Sequence, residues 1–225
     1  MNDLSALYNE QLPMKQISHD IVLGSSSPYR QQQFAKLGLS FTTSSPNINE
    51  ERRNAETPKQ LVERLSLQKA LEVQKSHPTS IIIGSDQVAY IKEEQQALSR
   101  VHILTKPLTI ENAVNQLLAC SGRKVRFVTG LCCIAPNAEP RILSENVDVT
   151  FRQLSLSEIE RYIEIESPLD CAGSFKVEGL GIALFEKVES TDPNTLIGLP
   201  IIALNKILIE LGVNALQNPN HLKLK

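Results

Sequence analysis

The chain has 225 residues, 41% of them hydrophobic and 21% charged, with a formal net charge of -2. That mixture excludes a disordered or fibrous protein, and a chain this long buries about 70% of its unfolded surface without help from disulfides or metals. There is no basic surplus of the kind duplex nucleic acid selects, and no apolar run nears the ~20 residues of a membrane span, so neither partner is expected.

Residues 1–18 are polar and mixed, without a signal-peptide pattern, and read as a flexible extension. One domain is expected over 19–215, with a tail over 216–225. Ile21-Val22-Leu23-Gly24 reads as a short strand, followed by a serine-rich turn and a helix from Pro28 to Leu37. Phe41 to Ser45 reads as a strand and Pro46 to Glu56 as a loop. Thr57-Pro58-Lys59-Gln60 carries a capping box with proline at the first helical position, which predicts a helix to about Lys75. Ser80 to Ile91 is the strongest strand. Residues 97–108 give no clear pattern, and a helix is expected from Thr109 to Ala119.

Two long strands follow, Lys124 to Ala135 and Arg141 to Leu154. The second alternates at Val147, Val149 and Phe151, as a half-buried antiparallel strand does. Ser155-x-x-Glu158 caps a helix to Glu166. Gly181 to Val188 reads as a strand, Pro193 to Gly198 as a loop, and a last helix runs to about Leu211. The four cysteines show no Cys-x-x-Cys spacing. They read as buried free thiols of a reducing, cytoplasmic compartment. Intermixed strands and helices, some strands in hairpins, predict a mixed α/β fold: a partly antiparallel central sheet flanked by helices.

Gly24-Ser25-Ser26-Ser27-Pro28-Tyr29-Arg30 joins a strand end to a helix start. Helix N-termini present unpaired N–H groups, serines add donors and Arg30 adds a charge, so the segment suits a phosphate. Its bland reading is a plain N-cap. Asp86 follows Ile81-Ile82-Ile83-Gly84-Ser85, and a carboxylate in such a strand is costly unless paired or bound to metal. It is a candidate general base or metal ligand. Lys69 falls on the apolar arc of its helix with Leu61, Val62, Leu65 and Val73, so it either snorkels or points into a site. Lys106, before Pro107, is by itself a solvated loop lysine.

Ser25-x-Ser27-Pro28-x-Arg30, Gln68-Lys69-Ala70, Gly84-Ser85-Asp86-Gln87-Val88, Lys106-Pro107-Leu108, Ala172-Gly173 and Gly198-Leu199-Pro200 occur in one order. From about Ile21 to Leu211 this set resembles the Maf family of nucleotide pyrophosphatases. Tyr29, Gln87 and Ser174-Phe175-Lys176-x-Glu178-Gly179 resemble its 7-methyl-GTP branch.

The resemblance implies a Maf/ITPase-like fold with two lobes around a cleft, and a homodimer. It implies a nucleoside triphosphate pyrophosphatase that clears modified nucleotides, with Asp86 as proton acceptor. Tyr29, Gln87 and Glu178 would set base choice, and Ser25, Arg30, Lys69 and Lys106 would hold phosphates. Glu50 and Asp86 would place a divalent cation, Mg²⁺. Pyrimidine triphosphates such as dTTP or UTP, or a nucleotide-binding regulator without turnover, are the alternatives. Thr105 and Asn49 stand where the family usually has Gly and Asp, and residues 92–103 form an apparent insertion.

Overall fold

The computed structural model describes residues 20–93 and 100–217. The expected extension 1–18 lies outside the described residues, as do the middle of the 92–103 insertion and most of the 216–225 tail.

In chain order the elements are β1 (Ile21–Gly24), α1 (Pro28–Ala35), β2 (Thr42–Thr43), α2 (Pro58–Gln74), β3 (Ile81–Glu93), β4 (Arg100–Leu104), α3 (Ile110–Cys120), β5 (Lys124–Ile134), β6 (Arg141–Phe151), α4 (Leu156–Glu166), β7 (Phe185–Ser190) and α5 (Ile201–Glu210). They form one mixed sheet in the order β2-β1-β3-β5-β6-β7, with β4 paired to the far end of β3. β1 runs parallel to β2 and β3, and the remaining pairs are antiparallel. Among the described residues no helix is long and apolar enough to cross a membrane.

Both predicted capping boxes are present. Thr57 accepts from the Gln60 amide and returns its own amide to the Gln60 side chain, and Ser155 and Glu158 do the same for α4. Three sequence readings change. The Phe41–Ser45 strand shrinks to Thr42 and Thr43, an edge pair held only by β1. Residues 100–104 form β4, which exists through its pairing with β3 rather than through its own pattern. The expected Gly181–Val188 strand opens as a 3-10 helix, Leu180–Leu184, and only Phe185–Ser190 joins the sheet. The Gly181 amide is bound to the Lys176 carbonyl, which commits that stretch to a turn.

Strand alternation assigns the two faces of the sheet. Val22, Ile82, Cys132 and Ile134 pack with Ala70 and Val73 of α2, and Val88, Tyr90 and Val128 pack with Leu61, Val62 and Leu65. On the opposite face, Leu23, Ile81, Ile83, Leu131 and Cys133 meet Phe34 of α1 and Leu204 and Leu208 of α5. Further along that face, Ala89, Ile91, Val125, Phe127 and Val149 form a separate core with α3 and α4. On the edge of β3 that pairs with β1 up to Gly84 and with β4 from Ala89, residues 85–88 have no strand partner among the described residues.

Gly84 on β3 and Gly130 on β5, the latter paired with Asp86, both face α2. A Cβ on Gly84 would collide with the Ser66 carbonyl and lie 2.9 Å from the Ala70 amide. On Gly130 it would strike the Val62 carbonyl and the Ser66 hydroxyl. The bare backbone therefore lets α2 lie unusually close to the sheet. Gly84→Ala should lower stability by about 1–3 kcal/mol, the usual cost of overpacking. A lower urea midpoint at unchanged m-value is the expected result.

Candidate active site

A cleft of about 410 Å³ takes in the end of β1, the middle of β3 and the segment after β4. All the residues singled out from sequence line it: Ser25, Tyr29, Arg30, Glu50, Lys69, Asp86, Gln87, Lys106 and Glu178. Local structure explains how each arrives. β1 ends at Gly24, and Ser27 caps α1 by accepting from the Arg30 amide at 3.4 Å. The Ser25 hydroxyl accepts from the Ser27 amide at 3.1 Å. Both hydroxyls keep a proton for an incoming anion at this helix start.

Asp86 lies on the α2 face of β3, in line with Gly84. The close approach of α2 carries Lys69, which is 7% exposed, onto it. Lys69 Nζ is 2.6 Å from Asp86 Oδ1 and 2.8 Å from Glu50 Oε1. Burial raises the Asp86 carboxyl above its usual range, against the pull of Lys69 and Arg30. Asp86 Oδ2 has no hydrogen-bond partner among the described residues.

Ser85 and Gln87 alternate with Asp86 and point to the other face. There they grip the turn over Pro193–Ile197. The Gln87 amide nitrogen lies 2.9 Å from Thr129 Oγ1, 2.9 Å from the Thr195 carbonyl and 3.2 Å from that of Leu196. Ser85 Oγ is 2.8 Å from the Gly130 carbonyl and 3.0 Å from the Gly198 carbonyl. That same Gly198 oxygen accepts from Arg30 Nε at 2.8 Å. Gly198 has φ of 106°, and a Cβ there would sit 3.3 Å from Arg30 Nε. Burial weakens the hold of Arg30 on its proton, while Asp86 and Glu50 strengthen it.

Asp170, Cys171, Phe175 and Glu178 also line the cleft. Phe127 and Phe175 pack edge-to-face at 5.2 Å and form an apolar wall. Tyr29 is half-buried. Burial raises its phenol, and Cys171, Asp170 and Glu178 push it the same way. Within the cleft Arg30 and Lys69 stand with Glu50 and Asp86, whereas Tyr29 stands near Cys171, Asp170 and Glu178.

Two carboxylates around Lys69, together with phosphate oxygens, are a donor set that suits Mg²⁺, which binds through one or two carboxylates plus substrate phosphates. Among the described residues no group of three or more His, Cys, Asp or Glu forms a closed metal cluster. Asn49 accepts from the Glu51 amide at 2.8 Å and so shapes the loop that carries Glu50. Thr105 leaves the Lys106 loop intact, its carbonyl accepting from Gln116 at 3.0 Å.

Sequence reasoning missed Ser85, Arg64, Glu56 and Asp170. Ser85 carried a signal, since it shares the Gly84–Gln87 run. Arg64 and Gln68 are four apart on α2, a spacing that puts them on one helix face. Asp170 offered no pattern to read.

The sequence matches the Maf-like protein family over residues 20–211. The chain belongs to this family. It is 46% identical over 194 residues to the 7-methyl-GTP pyrophosphatase of Alcanivorax borkumensis, covering 86% of this chain and 94% of that one. It is 46% identical over 203 residues to the protein of the same name from Colwellia psychrerythraea, covering 90% and 98%. The solved Ham1 protein of Staphylococcus aureus superposes with a TM-score of 0.46 at 13% identity, covering 85% of this chain and 98% of that one.

Lys69 is the main counterweight to the burial of Asp86. In Lys69→Met the Asp86 carboxyl should titrate higher still, read by carbon NMR of labelled aspartate. Breaking a buried pair costs about 3–5 kcal/mol at neutral pH. A carboxyl whose folded pKa is raised favours the folded state when protonated, so this deficit should shrink as pH falls through that raised pKa.

Proposed function

We propose that the chain is a nucleoside triphosphate pyrophosphatase that hydrolyses 7-methyl-GTP to 7-methyl-GMP and pyrophosphate. The observation that carries this reading is the grouping of an aromatic ring, Tyr29, with the carboxylates Asp170 and Glu178 in the same cleft as Arg30 and Lys69. A triphosphate suits Arg30, Lys69 and the α1 N-terminus, with Lys106 also lining the cleft. The surroundings of Tyr29 suit a positively charged base. N7-methylated guanine is a delocalised cation, and a cation over an aromatic face such as Tyr29 gains up to about 2 kcal/mol when desolvated. Glu178 accepts from the N–H groups of the guanine edge and balances its charge. The names of the relatives support the same substrate.

Asp86 accepts a proton from the water that attacks the α-phosphorus, and burial makes it a stronger base for that task. The bond to the bridging oxygen breaks, and pyrophosphate leaves. Arg30, Lys69 and Lys106 offset the charge that gathers on it. Glu50 and Asp86 would hold the divalent cation, which supplies charge neutralisation on the phosphate oxygens. Gln87 acts on base choice through Leu196 and Ile197, which line the cleft on the turn it grips. The proposal includes Mg²⁺ as the cation, a homodimer and a cytoplasmic setting, as the family resemblance implies.

Pyrophosphate release with Mg²⁺ from 7-methyl-GTP, GTP, dTTP, UTP and CTP tests the reading. Preference for 7-methyl-GTP is expected. Preference for pyrimidines would overturn the roles of Tyr29 and Glu178 while keeping the chemistry. Asp86→Asn should lose on the order of 10²–10⁴-fold in kcat and still bind nucleotide, as removal of a general base does. Unchanged turnover in that variant would remove Asp86 from the mechanism.

A further inference from the structure

Glu50 is the most open member of the charged centre, its side chain 57% exposed, yet it lies 2.8 Å from Lys69 Nζ. It sits on an irregular loop between β2 and α2. Such a carboxylate reaches one point reproducibly only if something fixes its loop.

Glu56 and Arg64 do this. Glu56 is 8% exposed and meets Arg64 through two parallel bonds, Nε to Oε1 at 2.6 Å and Nη2 to Oε2 at 2.8 Å. Glu56 Oε2 also accepts from the Arg53 amide at 3.0 Å, and the Glu56 carbonyl accepts from Arg52 Nε at 2.8 Å. Arg64 Nη2 reaches the Glu51 carbonyl at 3.0 Å, one residue from Glu50. Its Nη1 holds Gln68 Oε1 at 3.0 Å, one residue from Lys69. Arg64 therefore touches the neighbours of both partners in the Glu50–Lys69 pair. It does not line the cleft itself.

We propose that the Glu56–Arg64 pair is a clamp that positions Glu50 beside Asp86, so that the two carboxylates present a fixed pair of oxygens to the divalent cation. The cation rests on the function proposed above, whereas the clamp rests on the geometry alone. Arg64 and Glu56 are positioning residues, since neither touches substrate. A lysine at position 64 keeps the charge and loses the fork that makes these contacts together.

The test compares the wild-type chain with Arg64→Lys, Glu50→Gln and the double variant. Pyrophosphate release from 7-methyl-GTP is titrated with Mg²⁺, and hydrogen exchange is followed at the 49–56 amides without metal or nucleotide. Arg64→Lys should raise half-saturating Mg²⁺ about tenfold, the usual effect of losing support behind a metal ligand. Nucleotide KM at saturating Mg²⁺ should hold within about twofold, since support behind the ligand is not a substrate contact. Glu50→Gln should give a similar rise, and the double variant no further rise, because both changes remove one interaction. Exchange should quicken at the 49–56 amides and stay unchanged along α2.

An unchanged Mg²⁺ requirement, additive effects in the double variant, or unaltered exchange at 49–56 would overturn the clamp. If Arg64→Lys fails to fold, Glu56→Gln, which keeps the side-chain shape, takes its place under the same criteria. If the wild-type chain releases no pyrophosphate, the functional reading falls. Exchange alone then decides the clamp, quicker exchange at 49–56 supporting it and unaltered exchange overturning it.

Discussion

The site depends on the contact between α2 and the sheet at Gly84 and Gly130. With no side chain at either glycine, the helix backbone sits against the strand backbone. That places Lys69 over Asp86 with almost no water between them. Taking a carboxylate out of water costs several kcal/mol, and only an excellent partner offsets it. Lys69 is that partner, and it reaches Asp86 at 2.6 Å because the two glycines leave room. Helix packing and site electrostatics are here one constraint.

From Asp86 the strand distributes its neighbours by alternation. Asp86 faces α2, while Ser85 and Gln87 face the turn over Pro193–Ile197. Through the Gly198 carbonyl, Ser85 is tied to Arg30, so a residue that never meets the cleft steadies one that lines it. Asp192 completes the arrangement by accepting from the amides of Asn194 at 2.8 Å and Ile202 at 2.7 Å, which joins the turn to the start of α5. Lys69, Asp86 and Glu50 thus meet in one group, while Tyr29 lies near Asp170 and Glu178.

Much of this was legible in the chain. The capping boxes at Thr57 and Ser155 are local chemistry, so their helices begin where expected. Lys69 stood out on an apolar arc and Asp86 in an apolar run, and the structure pairs the two. Other features had no helix or strand period to mark them. β4 forms because β3 extends beside it, and the stretch at 181–184 coils because Gly181 binds the Lys176 carbonyl. The partners of the Gln87 amide nitrogen, Thr129 and the 193–197 turn, are likewise set by the fold. The Gln87 bonds span 42 to 109 residues and leave no spacing to read.

The sequence by itself determined the helix starts, the alternation of the long strands, the buried charge and the ordered motifs that mark the family. Each depends on neighbours within a turn or two of chain. Only the tertiary structure decided which charges share an atom, which carbonyl holds Arg30 and how the Glu50 loop is closed. Those contacts link residues from 8 to 168 apart in the chain. The reach of Lys69 to Asp86 depends on how closely α2 lies on Gly84 and Gly130.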